Sequence, residues 1–234
     1  KRKDTEERRK FLNAADLVFL CLPDAAAVEA VSLIDNPNTR VIDASTAHRT
    51  NPDWDYGFPE LSAQHLEKIR NSKRVANPGC HATGFISLVA PLAEAGLIHA
   101  DARLSCFSLT GYSGGGKKMI AEYEDANRDA LLDAPRVYGL TQQHKHLKEI
   151  VALCELEKAP AFCPIVSPFY SGMEVTVPLF ASDIKGSLEA RSYTNGEKKP
   201  KKEKKPATGA TKKKGGPISD FYPFVKLVFD FLKD

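Results

Sequence analysis

The sequence predicts an α/β protein with three parts: a parallel-sheet domain, an α+β domain and a lysine-rich tail. A strand–helix–strand alternation near the N-terminus predicts the first part, because this alternation is typical of parallel sheets. The strands and helices that follow, up to residue 185, do not repeat the alternation and predict the second part. Residues 196–217 are dominated by Lys, Pro, Gly and Glu, a composition that cannot bury a core and predicts disorder.

The first strand–helix–strand unit lies between residues 17 and 43. The continuous apolar run Leu17–Leu22 predicts a strand that is buried on both faces. The alanine-rich residues 25–34 predict a helix with Asp24 as its cap, and residues 40–43 predict the second strand. Ligands of parallel sheets bind beyond the carboxyl ends of the strands, so a ligand is expected at the loops that follow these two strands.

The remaining elements follow from the same kinds of pattern. An apolar helix is predicted over residues 83–95, with Gly96 ending it. The other predicted elements are helices over 63–71, 117–127 and 144–157 and strands over 74–76, 104–110, 162–166 and 173–180.

The tail holds most of the positive charge. Nine Lys and one Glu in residues 198–214 contribute +8 to a net charge of +3, so the rest of the chain carries −5. A basic nucleic-acid surface is therefore not expected in the folded part, and a solvated charge run is the favoured interpretation of the tail itself. After it, apolar residues at helical spacing predict a short helix on one face: Phe221, Phe224, Val225, Val228, Phe231 and Leu232.

Composition also indicates the compartment. No run of 18 apolar residues is present, and no signal-peptide core follows the charged first residues, so neither a membrane span nor secretion is expected. Five cysteines, an odd number without a C-x-x-C pair, argue against a disulfide framework and for a reducing cytoplasm.

Cys80 is the first candidate for chemistry. It follows a predicted strand and the turn Pro78-Gly79, and it precedes an apolar helix, so its thiol is expected at a helix N-terminus. The backbone N–H groups there favour a thiolate, the reactive form, and stabilise an oxyanion. A small hydrophobic residue packed at the helix start is an equally good interpretation of the local pattern. The other four cysteines lie in apolar runs and are predicted to be packed and inert: Cys21, Cys106, Cys154 and Cys163.

Two further motifs leave alternatives open. His144 and His146 suit a metal site only if they lie on an extended segment, since rings at this spacing point apart on a helix. No supporting cluster of ligands lies nearby in sequence, so no metal site is predicted. Two other interpretations remain. One of the two histidines acts as a general base, or either of them caps a helix at the surface. The Gly-rich turn of residues 110–118 suits either an anion or a simple flexible connection, and it does not match a P-loop.

Seven short runs, in order along residues 1–185, together resemble the short form of N-acetyl-gamma-glutamyl-phosphate reductase, an enzyme family of arginine biosynthesis. These runs are Cys21–Asp24, Asp43–Arg49, Tyr56–Leu61, Asn77–Gly84, Ser113–Lys117, His144–Ile150 and Phe169–Pro178.

The resemblance implies a fold and an activity. It implies an incomplete Rossmann-like NADP-binding domain over residues 1–79, an incomplete α+β catalytic domain of the semialdehyde-dehydrogenase type over 80–185, and a Lys-rich linker with a short helix over 186–234. The implied reaction is NADP-dependent reduction of N-acetyl-glutamyl phosphate to the semialdehyde through a cysteine thioester. A family-like homo-oligomer in the cytoplasm is implied as well.

The resemblance also implies residue roles. Cys80 is the implied nucleophile, and His146, with His144 beside it, the implied acid/base. The implied NADP-side residues are Cys21, Leu22, Pro23, Ser45, Thr46, Ser113 and Gly114.

The chain departs from the family pattern in three places. It starts after the family's glycine-rich pyrophosphate turn, it has His81 where the family usually has Tyr, and its end resembles no family segment. Two other functions therefore stay open: aspartate-semialdehyde dehydrogenase, which shares the chemistry, and a non-catalytic remnant or interaction protein of the same family.

Overall fold

The structure, a computed structural model, describes residues 4–180 and 183–184. Its first half consists of seven elements: α1 (Thr5–Ala14), β1 (Leu17–Leu20), α2 (Asp24–Ser32), β2 (Arg40–Asp43), β3 (Asp55–Tyr56), α3 (Ala63–Asn71) and β4 (Arg74–Ala76). Its second half also has seven: α4 (Cys80–Glu94), β5 (Ser105–Gly111), α5 (Gly116–Glu124), β6 (Arg136–Val137), α6 (His146–Leu153), β7 (Ala161–Ser167) and β8 (Met173–Thr176).

The strands form two four-stranded sheets. The first has the order β1-β2-β4-β3 and is parallel throughout. The second has the order β6-β7-β5-β8, in which β5 and β7 are parallel while β6 and β8 pair antiparallel to their neighbours. The predicted succession of a parallel sheet and an α+β part is thus confirmed.

The prediction that β1 is buried on both faces is wrong. Val18 and Leu20 lie in a core formed with α1 and α2, whereas Leu17 is 45% exposed and Phe19 is 64% exposed. In the described part of the chain both helices pack against the same face of this strand. An apolar run therefore predicts the strand correctly but does not show how many of its faces are covered.

The predicted role of Asp24 as a helix cap is also wrong. Helix α2 begins at Asp24 itself, and Pro23 occupies the cap position without a side-chain hydrogen bond. The Asp24 carboxylate instead accepts hydrogen bonds from the backbone N–H of Thr46, at 2.9 Å, and from the Thr46 hydroxyl. This side chain consequently joins α2 to the loop that follows β2.

Helix α4 is the centre of the larger core. Phe85, Ile86 and Val89 are fully buried and belong to one cluster with Ile150 of α6 and Phe162 of β7. Burying a side chain of this size stabilises the fold by about 1.5–3 kcal/mol. The core thus fixes the first turn of α4, which begins at Cys80, three residues before the predicted start.

The end of α4 agrees with the prediction. Gly96 has φ +67°, and the N–H of Leu97 donates to the Leu92 carbonyl at 2.9 Å, as in a helix end closed by a left-handed residue. The predicted disorder of 196–217 and the predicted helix near 221–232 lie outside the described residues. Within 4–180 and 183–184, no helix is both long and apolar enough to cross a bilayer.

Candidate active site

Cys80 lies where the sequence predicted it, at the first position of α4 directly after the turn that follows β4. Its side chain is exposed, which excludes the interpretation of a packed hydrophobic residue. The N–H groups of Cys80, His81 and Ala82 have no acceptor within their own helix, because the first turn of a helix leaves them free. The position therefore combines an accessible thiol with several N–H donors that favour negative charge.

The other cysteines differ in burial. Cys106 and Cys154 are buried as predicted, and burial raises the pKa of each thiol to about 12. Cys163 is half-buried. The prediction is wrong for Cys21, which is exposed because β1 ends before it, at Leu20.

Two histidines meet Cys80. One ligand-type atom from each of Cys80, His81 and His146 lies within 4.8 Å of the other two. His81 is held on both sides, since its Nδ1 lies 2.6 Å from the Ser108 hydroxyl and its Nε2 lies 2.8 Å from the Tyr138 hydroxyl. Burial, reinforced by the neighbouring His144, lowers the pKa of His81 to about 4, so the ring is neutral near pH 7.

His144 and His146 are adjacent rather than opposed. Their ring centroids lie 4.7 Å apart, because α6 begins at His146 and His144 precedes the helix. The prediction of a helix from residue 144 is therefore wrong at its start, and the two rings do not lie on one helix. His146 is buried and its Nδ1 has no hydrogen-bond partner. Burial, followed by the neighbouring His144 and His81, lowers the pKa of His146 to about 2.

His144 is less buried than its neighbour. Burial and then the positive charge of Lys145 lower the pKa of His144. The nitrogen atoms close to the Cys80 sulfur belong to His81 and His146. The ring centroid of His144 lies 5.8 Å from that of His81.

Glu149 ties the nucleophile turn to the rest of the fold. Its carboxylate, on an almost fully buried side chain, accepts hydrogen bonds from the Gly79 N–H at 3.0 Å, the Tyr56 hydroxyl at 2.8 Å and the Arg49 guanidinium at 2.8 Å. Arg49 also donates to the carbonyl of Asn77 at 2.9 Å. One buried ion pair thus joins the loop after β2, the turn before Cys80 and helix α6.

Glycine is required at position 79 because neighbouring side chains leave no room for a Cβ atom, and not because of the backbone conformation. Its φ of −78° suits any residue. A Cβ at this position, however, would lie 2.4 Å from Glu149 Oε1, 2.4 Å from His146 Cδ2 and 2.5 Å from an Arg49 nitrogen. The absent side chain lets the carboxylate and the imidazole approach the start of α4.

The loops after β1 and β2 form the second part of the site. Cys21, Leu22 and Pro23 are exposed at the carboxyl end of β1, as the sequence predicted for a ligand edge. Ser45 is buried, with its hydroxyl donating to Asp43 Oδ2 at 2.6 Å, so its side chain faces the protein interior. Thr46 is the more accessible of the two predicted residues in this loop.

The two parts of the site are electrostatic neighbours. The hydrogen bonds from Thr46 are the main cause of a lowered pKa of Asp24, and the charges of Lys145 and Arg49 lower it further. Lys145 directly precedes His146 in the chain, so the charge that acts on Asp24 comes from the same segment as the histidines beside the nucleophile.

The Gly-rich turn adopts regular structure. Residues Tyr112–Gly115 form a 3₁₀ turn, and the N–H of Ser113 donates to the Tyr170 carbonyl at 2.9 Å. Gly114 is exposed in the same turn.

Sequence reasoning missed four residues of the site: His81, Arg49, Tyr56 and Glu149. The position of Glu149 did carry a signal, because a residue three after His146 lies on the same helix face, and this face is otherwise apolar with Leu147 and Ile150. His81 was visible only as the neighbour of Cys80. The partners of Arg49 and Tyr56 are 100 and 93 residues away, and no local pattern indicates them.

Comparison with known proteins agrees with this geometry. Residues 2–69 match the family described as semialdehyde dehydrogenase, NAD binding domain, and residues 80–195 match semialdehyde dehydrogenase, dimerisation domain. The chain belongs to the semialdehyde dehydrogenase family. The second match begins at Cys80, the first residue of α4, whereas the first match ends at residue 69, before β4.

Curated relatives within this family confirm the resemblance drawn from the seven runs. The chain is 49% identical over 188 residues to proteins named N-acetyl-gamma-glutamyl-phosphate reductase from Brucella ovis and Brucella canis. These matches cover 80% of this chain and 61% of each relative. The chain therefore spans about three fifths of the length of the curated relatives that it matches.

Solved structures show the same fold at low identity. An aspartate semialdehyde dehydrogenase from Francisella tularensis has a TM-score of 0.55 at 14% identity, covering 77% of this chain and 62% of that one. Aspartate semialdehyde dehydrogenase II from Vibrio cholerae has a TM-score of 0.52 at 15% identity, covering 71% and 56%. Both comparisons support the fold of a semialdehyde dehydrogenase.

Proposed function

We propose that this chain carries the nucleophile of an NADP-dependent reductase that converts N-acetyl-glutamyl phosphate to N-acetyl-glutamate semialdehyde in arginine biosynthesis. The observation that carries the proposal is the exposed Cys80 thiol at the start of α4, with nitrogen atoms of two buried, neutral histidines within 4.8 Å. The 49% identity to the named Brucella reductases supports this substrate over other acyl phosphates.

The first step is acyl transfer to sulfur. The Cys80 thiolate attacks the acyl carbon and forms the C–S bond, while the carbonyl electron pair moves onto oxygen. The N–H groups at the start of α4 stabilise this oxyanion, because they point out of the helix end without partners. Inorganic phosphate then leaves with the electrons of the C–O bond, and the thioester remains.

The second step releases the aldehyde. NADPH, when bound, supplies the hydride that reduces the thioester carbon. The C–S bond then breaks, its electrons return to sulfur, and the aldehyde departs. His146 is the proposed acid/base, with His144 against it. Its neutral ring accepts the thiol proton, and the thiolate charge formed beside it offsets the effect of burial by favouring the protonated ring. The sum consumes one acyl phosphate, one NADPH and one proton, and yields the aldehyde, NADP⁺ and phosphate.

NADP fits the described residues in part. Cys21, Leu22 and Pro23 form an exposed edge at the carboxyl end of β1, and the next residue, Asp24, is hydrogen-bonded to Thr46 in the loop after β2. This position suits the nicotinamide half of the cofactor, which has to reach the thioester carbon. The loops after β1 and β2 contain no glycine that would let the backbone approach a pyrophosphate closely. Ser113 and Gly114 are proposed to contact the nicotinamide from the second sheet.

The requirement for a free thiol supports a reducing compartment, the cytoplasm.

The assay runs the reaction in reverse with the full chain. N-acetyl-glutamate semialdehyde, phosphate and NADP⁺ should give NADPH absorbance that depends on phosphate. Cys80→Ser should abolish it, and His146→Gln should lower the rate by about 10²–10⁴-fold. Cys163→Ala, which removes a half-buried thiol from β7, is the matched control and should keep the wild-type rate.

Other outcomes separate the remaining interpretations. Turnover of aspartate semialdehyde in place of the N-acetylated substrate would replace the proposal by the activity named for the structural neighbours. A folded chain without turnover of either aldehyde would refute catalysis by this chain and support a non-catalytic remnant or interaction protein.

A second copy of the chain is the proposed partner. The face of the second sheet opposite α4 carries apolar side chains, of which Phe107 is 44% and Val137 51% exposed, beside the half-buried Leu109 and Ile165. The strand register places all four on one side of the sheet. This sheet lies within the residues that match a dimerisation domain.

Light scattering after size exclusion tests the proposed face. Phe107→Glu places a charge at the centre of the apolar patch and should convert a dimer to a monomer. Leu131→Glu, at a side chain 73% exposed outside the sheet, is the control and should leave the mass unchanged. If Phe107→Glu remains a dimer, the dimer interface does not include this face of the sheet.

A further inference from the structure

We infer that Cys80, His81 and His146 form a binding site for Zn²⁺, which occupies the nucleophile reversibly and blocks it. The inference concerns metal binding by the chain itself and does not depend on the proposed reaction. Sequence reasoning had predicted no metal, because no ligand cluster lies near the His144–His146 pair along the chain. In the folded chain, however, the thiol of Cys80 and the imidazole of His81 lie close to His146, so a cluster of possible ligands does exist.

The three side chains are the kinds that zinc prefers. Zinc sites combine Cys sulfur and His nitrogen in tetrahedral geometry, with bonds of about 2.3 Å to sulfur and about 2.0–2.1 Å to nitrogen. Such bonds place neighbouring ligand atoms about 3.3–3.8 Å apart. The three atoms here lie within 4.8 Å of one another, and the exposed Cys80 side chain has room to rotate and close the remaining distance.

His146 has an atom that lacks a partner. Its side chain is only 5% exposed, and its buried Nδ1 has no hydrogen bond, which leaves a polar group without compensation in the interior. On the other side of the ring, Nε2 lies 4.0 Å from Glu149 Oε1. An ion at Nδ1 would leave Nε2–H near this carboxylate, whose negative charge favours a positive charge on the metal-bound ring.

His81 gives up one hydrogen bond and keeps the other. Its two nitrogens contact the hydroxyls of Ser108 and Tyr138, so whichever nitrogen binds the ion, the opposite one stays oriented. The free energy lost with one neutral hydrogen bond is small beside the binding free energy of a zinc site with three protein ligands.

The site is open on one side. Cys80 is exposed whereas both histidines are buried, so an ion enters from solvent and keeps its fourth position for water. Binding displaces the thiol proton and uses the sulfur electron pair that would attack a carbonyl. A metal-bound Cys80 is therefore protected from electrophiles until a chelator removes the ion.

Titration of the full chain with Co²⁺, a spectroscopic substitute for Zn²⁺, tests the ligand set. One equivalent should give a thiolate-to-metal charge-transfer band that Zn²⁺ removes by displacement. Cys80→Ser should abolish the band, and as an exposed substitution it should leave the fold intact. His146→Gln and His81→Gln should each weaken affinity more than about tenfold.

Two controls match the ligands in type. Cys21→Ser removes the other exposed thiol and should leave affinity unchanged. His144→Gln removes the imidazole that packs against His146 and should change affinity far less than His146→Gln does. A band that survives in Cys80→Ser, or affinity that falls as far in His144→Gln as in His146→Gln, would overturn the assignment.

Alkylation gives a second readout that needs neither substrate nor NADP. One equivalent of Zn²⁺ should slow the reaction of iodoacetamide with Cys80, and EDTA should restore it. Cys21, labelled in the same sample, should react at an unchanged rate. Equal alkylation of Cys80 with and without Zn²⁺ would refute the site, whatever the outcome of the enzyme assay.

Discussion

The carboxyl edge of the first sheet has two regions that are held in different ways. The turn after β4 presents Cys80. Its backbone N–H at Gly79 donates a hydrogen bond to the buried carboxylate of Glu149 in α6, which also binds Arg49. The loops after β1 and β2 present Cys21 to Pro23 and Thr46, and the contact that joins them is the exposed pair of hydrogen bonds between Asp24 and Thr46.

The difference teaches which part of the site is formed before any ligand arrives. A buried ion pair with several additional hydrogen bonds has few alternative arrangements, so the backbone of the turn that carries Cys80 has a fixed position. Exposed hydrogen bonds compete with water and contribute little to stability, so the loop edge can adjust to a ligand. Three substitutions test this contrast.

Replacing Glu149 should have the largest effect. Glu149→Gln leaves the Arg49 charge buried without its partner, and removing one member of a buried pair costs about 3–5 kcal/mol. Urea denaturation should show this loss as a lower midpoint with an unchanged slope. Glu67→Gln breaks an exposed ion pair with Arg70 and should leave the midpoint where it is. A wild-type midpoint in Glu149→Gln would show that the network does not anchor the turn.

Replacing Gly79 should have an intermediate effect confined to the same region. In Gly79→Ala the new methyl group meets Glu149, His146 and Arg49, and overpacking of this kind costs about 1–3 kcal/mol. The displaced turn should also change the alkylation rate of Cys80.

Gly96→Ala provides the comparison for Gly79. Its Cβ would meet open space, so its cost, of about 1 kcal/mol, comes from the left-handed backbone conformation alone. It should leave Cys80 alkylation unchanged. If both variants alter the rate equally, the contacts at Gly79 are not the cause.

Replacing Asp24 should have the smallest effect on stability and act on the ligand edge. Asp24→Asn weakens the bonds from Thr46 and should change the free energy of unfolding by less than about 1 kcal/mol. NADP affinity, measured by fluorescence titration, should fall several-fold while Cys80 alkylation stays the same. The Asp24 pKa is lowered, so its carboxylate contribution is lost only as the pH falls below the usual range of an aspartate, and affinity should not vary with Asp24 ionisation between pH 5 and 8. A stability loss as large as that of Glu149→Gln would remove the contrast between the two regions.

Local pattern was sufficient where neighbouring residues decide the structure. The strand at 40–43, the helix that Gly96 ends and the position of Cys80 after Pro78-Gly79 all depend on short stretches of chain, and the structure has them. Local sequence patterns failed where a residue far away in the chain determines the contact or the burial. Asp24 bonds Thr46, 22 residues away, instead of capping its helix, and Phe19 is exposed because coverage of a strand depends on the elements packed against it.

The sequence by itself determined the α/β class, the place of the nucleophile at a helix start and the resemblance to a reductase family, because these follow from periodicity, turn residues and short motifs. Only the tertiary structure decided what surrounds Cys80. His81 is adjacent in sequence, but His146 and Glu149 come from a helix more than 60 residues away. The physical reason is that burial and paired charges exist only after the chain has folded, and these two effects hold the histidines neutral and the turn in place.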